Sequence, residues 1–473
     1  MINYIVAIDL GTSCIKGIIG TRSLTGAFTV IACETESSAG CIRRGVIYNV
    51  ADTTQRVTAL IRKLAGKAPG IQIKKVYVGV GGQSVRSIDH VVTKSLGADG
   101  EVKKETTEAL YEECRTFKPE GLDVLSIASP AFYLNGNREV DPIGIPCSRI
   151  EARYKLIVCR PSLKQRIYTI AERARIEIPG IFVSPLALAD VALSETDKEL
   201  GCALLDFGAG TASLTIFKNK QLAGLCTIPL GSRLITKDLA CLHVVETEAE
   251  RLKKAYGDAA DDKENDSPVQ VNSLNGAAPR QVKLSEINEV VKARLQEITE
   301  NVYARLKESE VADKLNAGMI ITGGGALLKN FDAAVRERFG MTVRYASVNK
   351  ALFEKTNVPL EPEYGVVAGL LLKGTVNCSS YTPPPVSPPP VIKPEPPVEV
   401  EEPVIQKPVT EKPKEEGGTE KPPVIRPPRK PLGNRLINKV IGFTNDLFDD
   451  GSNDDQRNET EKKNTNNTTK PQE

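Results

Sequence analysis

Three short stretches, far apart in the chain, carry residue types suited to holding a polyphosphate. The first is Val6-Ala7-Ile8-Asp9-Leu10-Gly11-Thr12-Ser13, followed closely by Lys16. The second is Leu204-Leu205-Asp206-Phe207-Gly208-Ala209-Gly210-Thr211, and the third is Ile320-Ile321-Thr322-Gly323-Gly324-Gly325. In the first two, an apolar run ends in Asp and turns through Gly and Ser/Thr. It then enters a second apolar run, at 15–19 and 213–217. This is a strand, a tight turn and a strand, since glycine permits the positive φ such turns need. Successive backbone N–H groups and hydroxyls at a turn make a concave anion site, and two facing turns would clasp a polyphosphate. Asp9 and Asp206 are each a hard oxygen ligand for a phosphate-bound Mg²⁺, reached through water. Lys16, on the returning strand, reaches toward the β- or γ-phosphate. One Asp-x-Gly turn alone also fits an ordinary hairpin; two of them with a third glycine run read as one nucleotide pocket.

These turns need a scaffold, and the pattern around them supplies one. Residues 4–8, 15–19 and 28–33 are strand-like, and a helix is expected at about 52–66 with Val57, Leu60, Ile61 and Leu64 on one face. Residues 76–80 read as a buried strand ending in Gly81-Gly82. Such alternation argues an α/β fold. Residues 83–162 break the pattern with strand-like 91–93, a helix at about 105–115, and strands near 124–129, 131–134 and 154–158: a small α+β module. Helical spacing returns at 163–175, with Ile167, Ile170 and Ala171 inward, and at 184–189. The second half continues from the Asp206 turn through 222–230 to a helix carrying Glu250 and Lys253. Residues 258–283 are polar and read as a mobile surface loop. A helix at about 284–308 follows, with Ile287, Val290, Val291, Ile298, Val302 and Leu306 at helical spacing. After the third glycine stretch come a helix through Phe331 and Val335 and a last helix at 363–370 whose small residues allow close packing.

The totals set limits. A chain of 473 residues has room for two or three domains. A formal charge of +2 gives no global reason to expect a nucleic-acid partner. Ten cysteines are scattered singly with two histidines in the whole chain, so reduced thiols in a cytosolic protein are expected in place of disulfides or a zinc site. The first residues enter a strand with no basic, then apolar, leader. No apolar run approaches the roughly 20 residues that cross a bilayer. The expectation is a cytoplasmic chain whose membrane contact is peripheral.

The two Asp turns and the later Thr-Gly-Gly-Gly resemble the two phosphate motifs and the adenosine motif of the actin, heat-shock-chaperone and sugar-kinase ATPase fold. Over about residues 2–375, and again near 432–448, the chain looks like the FtsA family, the actin-like proteins of bacterial cell division. That resemblance implies an actin-like, two-lobed α/β fold of duplicated RNase H-like subdomains. It assigns 1–82 with 163–190 to subdomain 1A, and 83–162 to the inserted 1C domain, where Asp141-Pro142-Ile143-Gly144-Ile145 resembles a family segment. It assigns 191–230 with 309–375 to subdomain 2A and 231–308 to 2B. It implies ATP and Mg²⁺ as cofactors. Asp9 and Asp206 then carry the metal and any catalysis. Gly11, Thr12, Ser13, Lys16, Gly208, Gly210 and Thr211 line the phosphates, and Gly323, Gly324 and Gly325 the purine. Glu250 would bond the ribose and Lys253 flank the base; as a bare i, i+3 pattern the two also fit a solvated ion pair. Arg294 and Glu297 resemble the exposed site that receives the C-terminal tail of FtsZ, the tubulin-like filament protein, although a solvated ion-paired face fits them too. The 1C domain is implied to contact other protomers or later division proteins. Relatives often carry Glu where this chain has Ser184, and serine is no base without an activating partner, so slow hydrolysis at most is expected.

Beyond Cys378 the composition changes. Residues 382–431 hold more than half of the 31 prolines, with Glu and Lys between them. Such a stretch buries no core and stays extended, reaching at most about 150 Å. A disordered linker is assigned to 376–431, an amphipathic membrane-targeting helix to 432–450, which by its pattern alone also fits a partner groove or a helix folded back on the globular part, and a polar tail to 451–473. On a helical wheel Leu436, Ile437, Val440, Ile441, Phe443, Leu447 and Phe448 share one apolar arc. Arg426, Arg429 and Lys430 precede it and would attract anionic lipid. The expected protein polymerises at the inner face of the cytoplasmic membrane, anchors FtsZ there and helps recruit later division proteins. An actin-like platform of pilus assembly is the alternative, and a small-metabolite kinase of the same fold is a weaker one.

Overall fold

The computed structural model describes residues 3–381 except 24–25, 39, 98–99, 261–265, 272–279 and 357–359. The linker residues from 382 on, the amphipathic helix and the tail lie outside the described residues.

Two sheets carry the fold, and each contains the same five-strand unit. In the first, the order is Ile181–Val183, Tyr77–Val80, Asn3–Leu10, Cys14–Arg22, Phe28–Ser37. In the second it is Val343–Tyr345, Met319–Thr322, Cys202–Phe207, Ala212–Lys218, Gln221–Ile228. In both units the first three strands run parallel and the last two are added antiparallel by hairpins. The Asp turns occupy equivalent places, each at the end of the middle strand of its unit. Runs such as Ile5-Val6-Ala7-Ile8 and Ala203-Leu204-Leu205 are buried on both faces, as central strands covered by helices must be.

Helix Val50–Lys67 shows how the sequence fixes this packing. Asn49 caps it by accepting the Asp52 N–H, and Thr53, Val57, Leu60 and Leu64 turn one face inward. Gly17 lets that face lie close on the sheet, since a Cβ there would meet Leu64 at 2.8 Å and Leu60 at 3.1 Å. Leu60 is fully buried, so Leu60→Ala is expected to cost about 2–5 kcal/mol.

Three hydrophobic cores follow from this arrangement: one under each sheet and a small one inside the insertion, around Leu110, Tyr154 and Leu156. The insertion is an antiparallel sheet of Arg86–Ser95, Arg149–Cys159, Ala131–Leu134, Asn137–Glu139 and Asp123–Ile127 with helix Lys104–Thr116. It joins the edge of the second sheet. Cys226 pairs with Arg86, Ser87 exchanges hydrogen bonds with both backbone groups of Leu225, and Gln221 donates to the Pro130 carbonyl at 2.8 Å.

Three expectations need correction. Residues 353–356 and 365–371 do not stay in the second lobe: Phe353–Thr356 pairs with Phe28–Ser37, and Val367, Ala368, Leu370 and Leu371 fill the first core. A uniformly apolar helix such as Gly365–Lys373 fits either core, so composition does not place it. The region 258–283 is not all loop. Pro268–Val271 and Arg280–Lys283 form a hairpin with Val269, Val271 and Val282 buried on the second core. Finally, Ser379–Tyr381, inside the segment assigned to the linker, pairs antiparallel with Ile71–Ile73.

Candidate functional site

The two Asp turns face each other across a cleft of ≈ 1210 Å³, and all three glycine stretches line it. Asp9 sits directly across its hairpin from Lys16. At Gly11 a Cβ would come within 2.6 Å of the Cys14 carbonyl, so the turn closes only without one. Thr12 accepts the Gly45 N–H at 2.9 Å and packs against Gly210 of the opposite turn, where a Cβ would come within 2.6 Å of it. The two lobes touch at this point. Ser13 is exposed at the rim. Lys16 donates to the Glu363 carbonyl at 2.6 Å and lies 5.3 Å from the Tyr364 ring. In the second turn, Gly208 and Thr211 close on each other with a 2.9 Å backbone bond.

The electrostatics single out the two carboxylates. Burial pushes the Asp9 carboxyl up, while a 2.7 Å hydrogen bond from Ser184 and the Lys16 charge pull it back. Burial, reinforced by the charge of Asp9, pushes Asp206 up to about 6, with Lys16 opposing. Among the described residues no three His, Cys, Asp or Glu side chains cluster to cage a metal. Two carboxylates from opposite lobes fit a cation that keeps much of its water and takes its other ligands from phosphates, which is the habit of Mg²⁺. The glycine-rich turns, which leave successive backbone N–H groups uncovered by side chains, fit phosphates lying close to the main chain.

Glu250 and Lys253 share one face of helix Glu246–Tyr256 and line the cleft. Lys253 is only 8 % exposed. It bonds Glu250 at 2.7 Å, the Thr236 hydroxyl at 2.9 Å and the Ser232 carbonyl at 3.2 Å. Burial lowers the Lys253 ammonium below its usual range, against the pull of Glu250. Burial raises Glu250, and its bonds from Lys253 and Thr236 outweigh that and hold it below the ordinary carboxylate range. The solvated-pair reading therefore fails here, because the pair is built into the pocket wall. Gly323, at φ +93°, lies under Asp206: a Cβ would come within 2.5 Å of its carboxylate. Gly325 does the same for the Phe207 ring, which stacks on Phe331 at 5.0 Å.

Arg294 and Glu297 lie on helix Leu284–Lys307 and do not line the cleft. Arg294 is not the freely exposed residue expected. It forms a two-pronged bond to Asp238 and a third contact to Glu297, leaving it about one quarter exposed. The membrane residues Leu436, Ile437, Val440, Ile441, Phe443, Leu447 and Phe448 lie outside the described residues. Sequence reasoning missed the bond from Ser184 to Asp9 and the Thr12 contacts. The turn before Pro185 gave a signal for the first, since it places a hydroxyl at the start of a helix lining the pocket.

Comparisons with known proteins agree with this architecture. The family profile for cell division protein FtsA matches residues 203–369. Cell division protein FtsA of Porphyromonas gingivalis is 33% identical over 378 residues, covering 79% of this chain and 79% of that protein. Cell division protein FtsA of Pseudomonas aeruginosa is 28% identical over 374 residues, covering 78% of this chain and 89% of that protein. The structure of a PilM-PilN type IV pilus biogenesis complex superposes with a TM-score of 0.54 at 16% identity, covering 78% of this chain and 98% of that one. At that identity the likeness is one of fold. With an actin-like duplicated fold and relatives of this closeness and coverage, the chain belongs to the FtsA family of cell division proteins.

Proposed function

We infer that this chain is a nucleotide-gated membrane platform that anchors FtsZ filaments. The observation that carries the nucleotide part is the pair of half-buried carboxylates, one from each lobe, lining the cleft where Thr12 meets Gly210. Two like charges facing each other across the cleft repel, so the cleft without a cation resists full closure. Bound Mg·ATP would supply the positive charge between the carboxylates and the phosphate oxygens that satisfy the turns. This chain's residues then do the rest. The backbone at Gly11, Thr12, Ser13, Gly208, Gly210 and Thr211 donates to phosphate, and Lys16 adds one positive charge. Glu250 offers its carboxylate to the ribose, the Lys253 stem flanks the base, and Gly323 to Gly325 let the ring approach the main chain.

Hydrolysis is expected to be slow. The neutral Ser184 hydroxyl, which donates to Asp9, is too weak a base to take a proton from an attacking water. The role is structural. A closed lobe pair presents fixed surfaces for a second copy of the chain, and the inserted domain, seated on the edge of the second sheet, offers a face to later division proteins. The Arg294 helix offers a charged surface to the FtsZ tail. Among the described residues no helix is long and apolar enough to cross a membrane. Attachment to the inner membrane face therefore falls to the amphipathic segment at 432–450, which binds anionic lipid weakly and reversibly as one copy. Polymerisation multiplies that affinity.

The test is flotation of FtsZ with anionic vesicles in the presence and absence of this chain and ATP. FtsZ rising with the vesicles only when the chain is present supports the anchor. If the chain floats and FtsZ stays below, the membrane part stands and the partner is wrong.

A further inference from the structure

The duplication of the two sheets exposes an unequal pair of partners for the two carboxylates. On the parallel strand beside each Asp, the register partner of Asp9 is Gly79 and that of Asp206 is Thr322. In the first lobe the glycine leaves a gap that Ser184 fills; a Cβ at 79 would lie 2.7 Å from the Ser184 oxygen. That hydroxyl donates to Asp9. In the second lobe the hydroxyl stands on the strand itself. Thr322 is 3 % exposed, and its oxygen is buried without a hydrogen-bond partner. Asp206 beside it also has no hydrogen-bonding side-chain partner among the described residues. Its other register neighbour, Ser213, is occupied by Thr227 at 3.4 Å. A buried donor with no partner and a cleft-facing carboxylate thus sit on adjacent strands, on one face of the sheet. A buried hydroxyl seldom stays unpaired, and the carboxylate that the sheet register sets beside Thr322 is the acceptor at hand.

We propose that Thr322 is the positioning residue of Asp206 in the loaded cleft, donating its hydroxyl to that carboxylate as Ser184 does to Asp9. This rests on the reading of the cleft as a site for a nucleotide and a divalent cation. Thr322 acts through Asp206 and touches neither phosphate nor base. Its loss therefore weakens the cation-dependent part of binding and leaves the rest. Removing one hydrogen bond to a charged group corresponds to roughly a tenfold effect.

The experiment is a calorimetric titration of the full-length chain with ATP, in Mg²⁺ and in a chelator, for the native protein, Thr322→Val and Thr322→Ser. Expected are about tenfold weaker Mg·ATP binding by Thr322→Val, unchanged cation-free ATP binding, and recovery of the native value by Thr322→Ser. Equal Mg·ATP affinity in Thr322→Val overturns the proposal. So does an equal loss with and without Mg²⁺, which would mark Thr322 as a packing residue only. If the native chain binds no ATP at all, the cleft reading fails and the proposal falls with it. Should Thr322→Val fold poorly by its melting curve, Thr322→Ala, which only removes atoms, gives the same comparison.

Discussion

The two lobes repeat one strand order and one Asp turn, yet they treat the carboxylate differently. Asp9 has a hydroxyl from Ser184 and stands opposite a lysine across its hairpin. Asp206 has neither, sits over Gly323, and is pushed up to about 6. The first lobe holds its carboxylate ready. The second holds one whose charge is unfavourable until a cation arrives. A duplicated scaffold can thus keep its geometry while the cost of charging the site is concentrated in one copy.

Neutralising the costly carboxylate should break the comparison most. The folded-state value of Asp206 lies above its ordinary 3.8, so the ligand-free protein loses stability as pH rises through about 4 to 6. Asp206→Asn should therefore raise the melting temperature of the ligand-free protein at pH 7.5, a gain of at most about 3 kcal/mol. The gain should vanish below about pH 4, where the native carboxyl is protonated in both states. Asp9→Asn should give a smaller gain, because Ser184 already offsets part of the burial. Melting curves across pH for both variants check this.

The contact between the lobes is the next place to press. Gly210→Val puts branched atoms where Thr12 lies, and should weaken nucleotide binding by tens of fold. Thr12→Gly in the same chain should recover part of the loss, a coupling that a double-mutant cycle measures. The second lobe also differs in carrying the helix of Arg294. Arg294→Glu would set a carboxylate against Asp238 and Glu297 and should lower affinity for the FtsZ tail about tenfold or more. Asp238→Asn, which frees Arg294 without reversing its charge, should change it less; fluorescence anisotropy with a labelled tail peptide separates the two. The smallest effect belongs to the better-equipped lobe. Ser184→Ala should weaken Mg·ATP binding a few fold and leave cation-free binding unchanged, as read by the same titration.

The Asp turns were legible because an unbroken apolar run ending in Asp and glycine, followed by a second such run, leaves few other conformations. Glu250 and Lys253 were legible by helical spacing, but their burial was not, since Thr236 and Ser232 come from another helix region. Pairings across long sequence separations were hidden. Ser184 and Asp9 are 175 residues apart, and Arg294 and Asp238 are 56 apart. No local pattern records which of many hydroxyls or carboxylates a fold brings near. The return of helix Gly365–Lys373 to the first core was hidden for another reason: its burial is nearly all-round, so it lacks a polar face to say which side it joins. The hairpin at Pro268–Val271 was too short and too polar in its surroundings for alternation to stand out.

The central claim is that the nucleotide joins the lobes through a cation shared by the two carboxylates. Its most direct measurement is the Mg²⁺ dependence of ATP affinity in the native chain, Asp9→Asn and Asp206→Asn. Mg²⁺ should raise the affinity of the native chain strongly, and each variant should lose most of that gain. A native affinity indifferent to Mg²⁺, or a full Mg²⁺ effect surviving in Asp206→Asn, would contradict it.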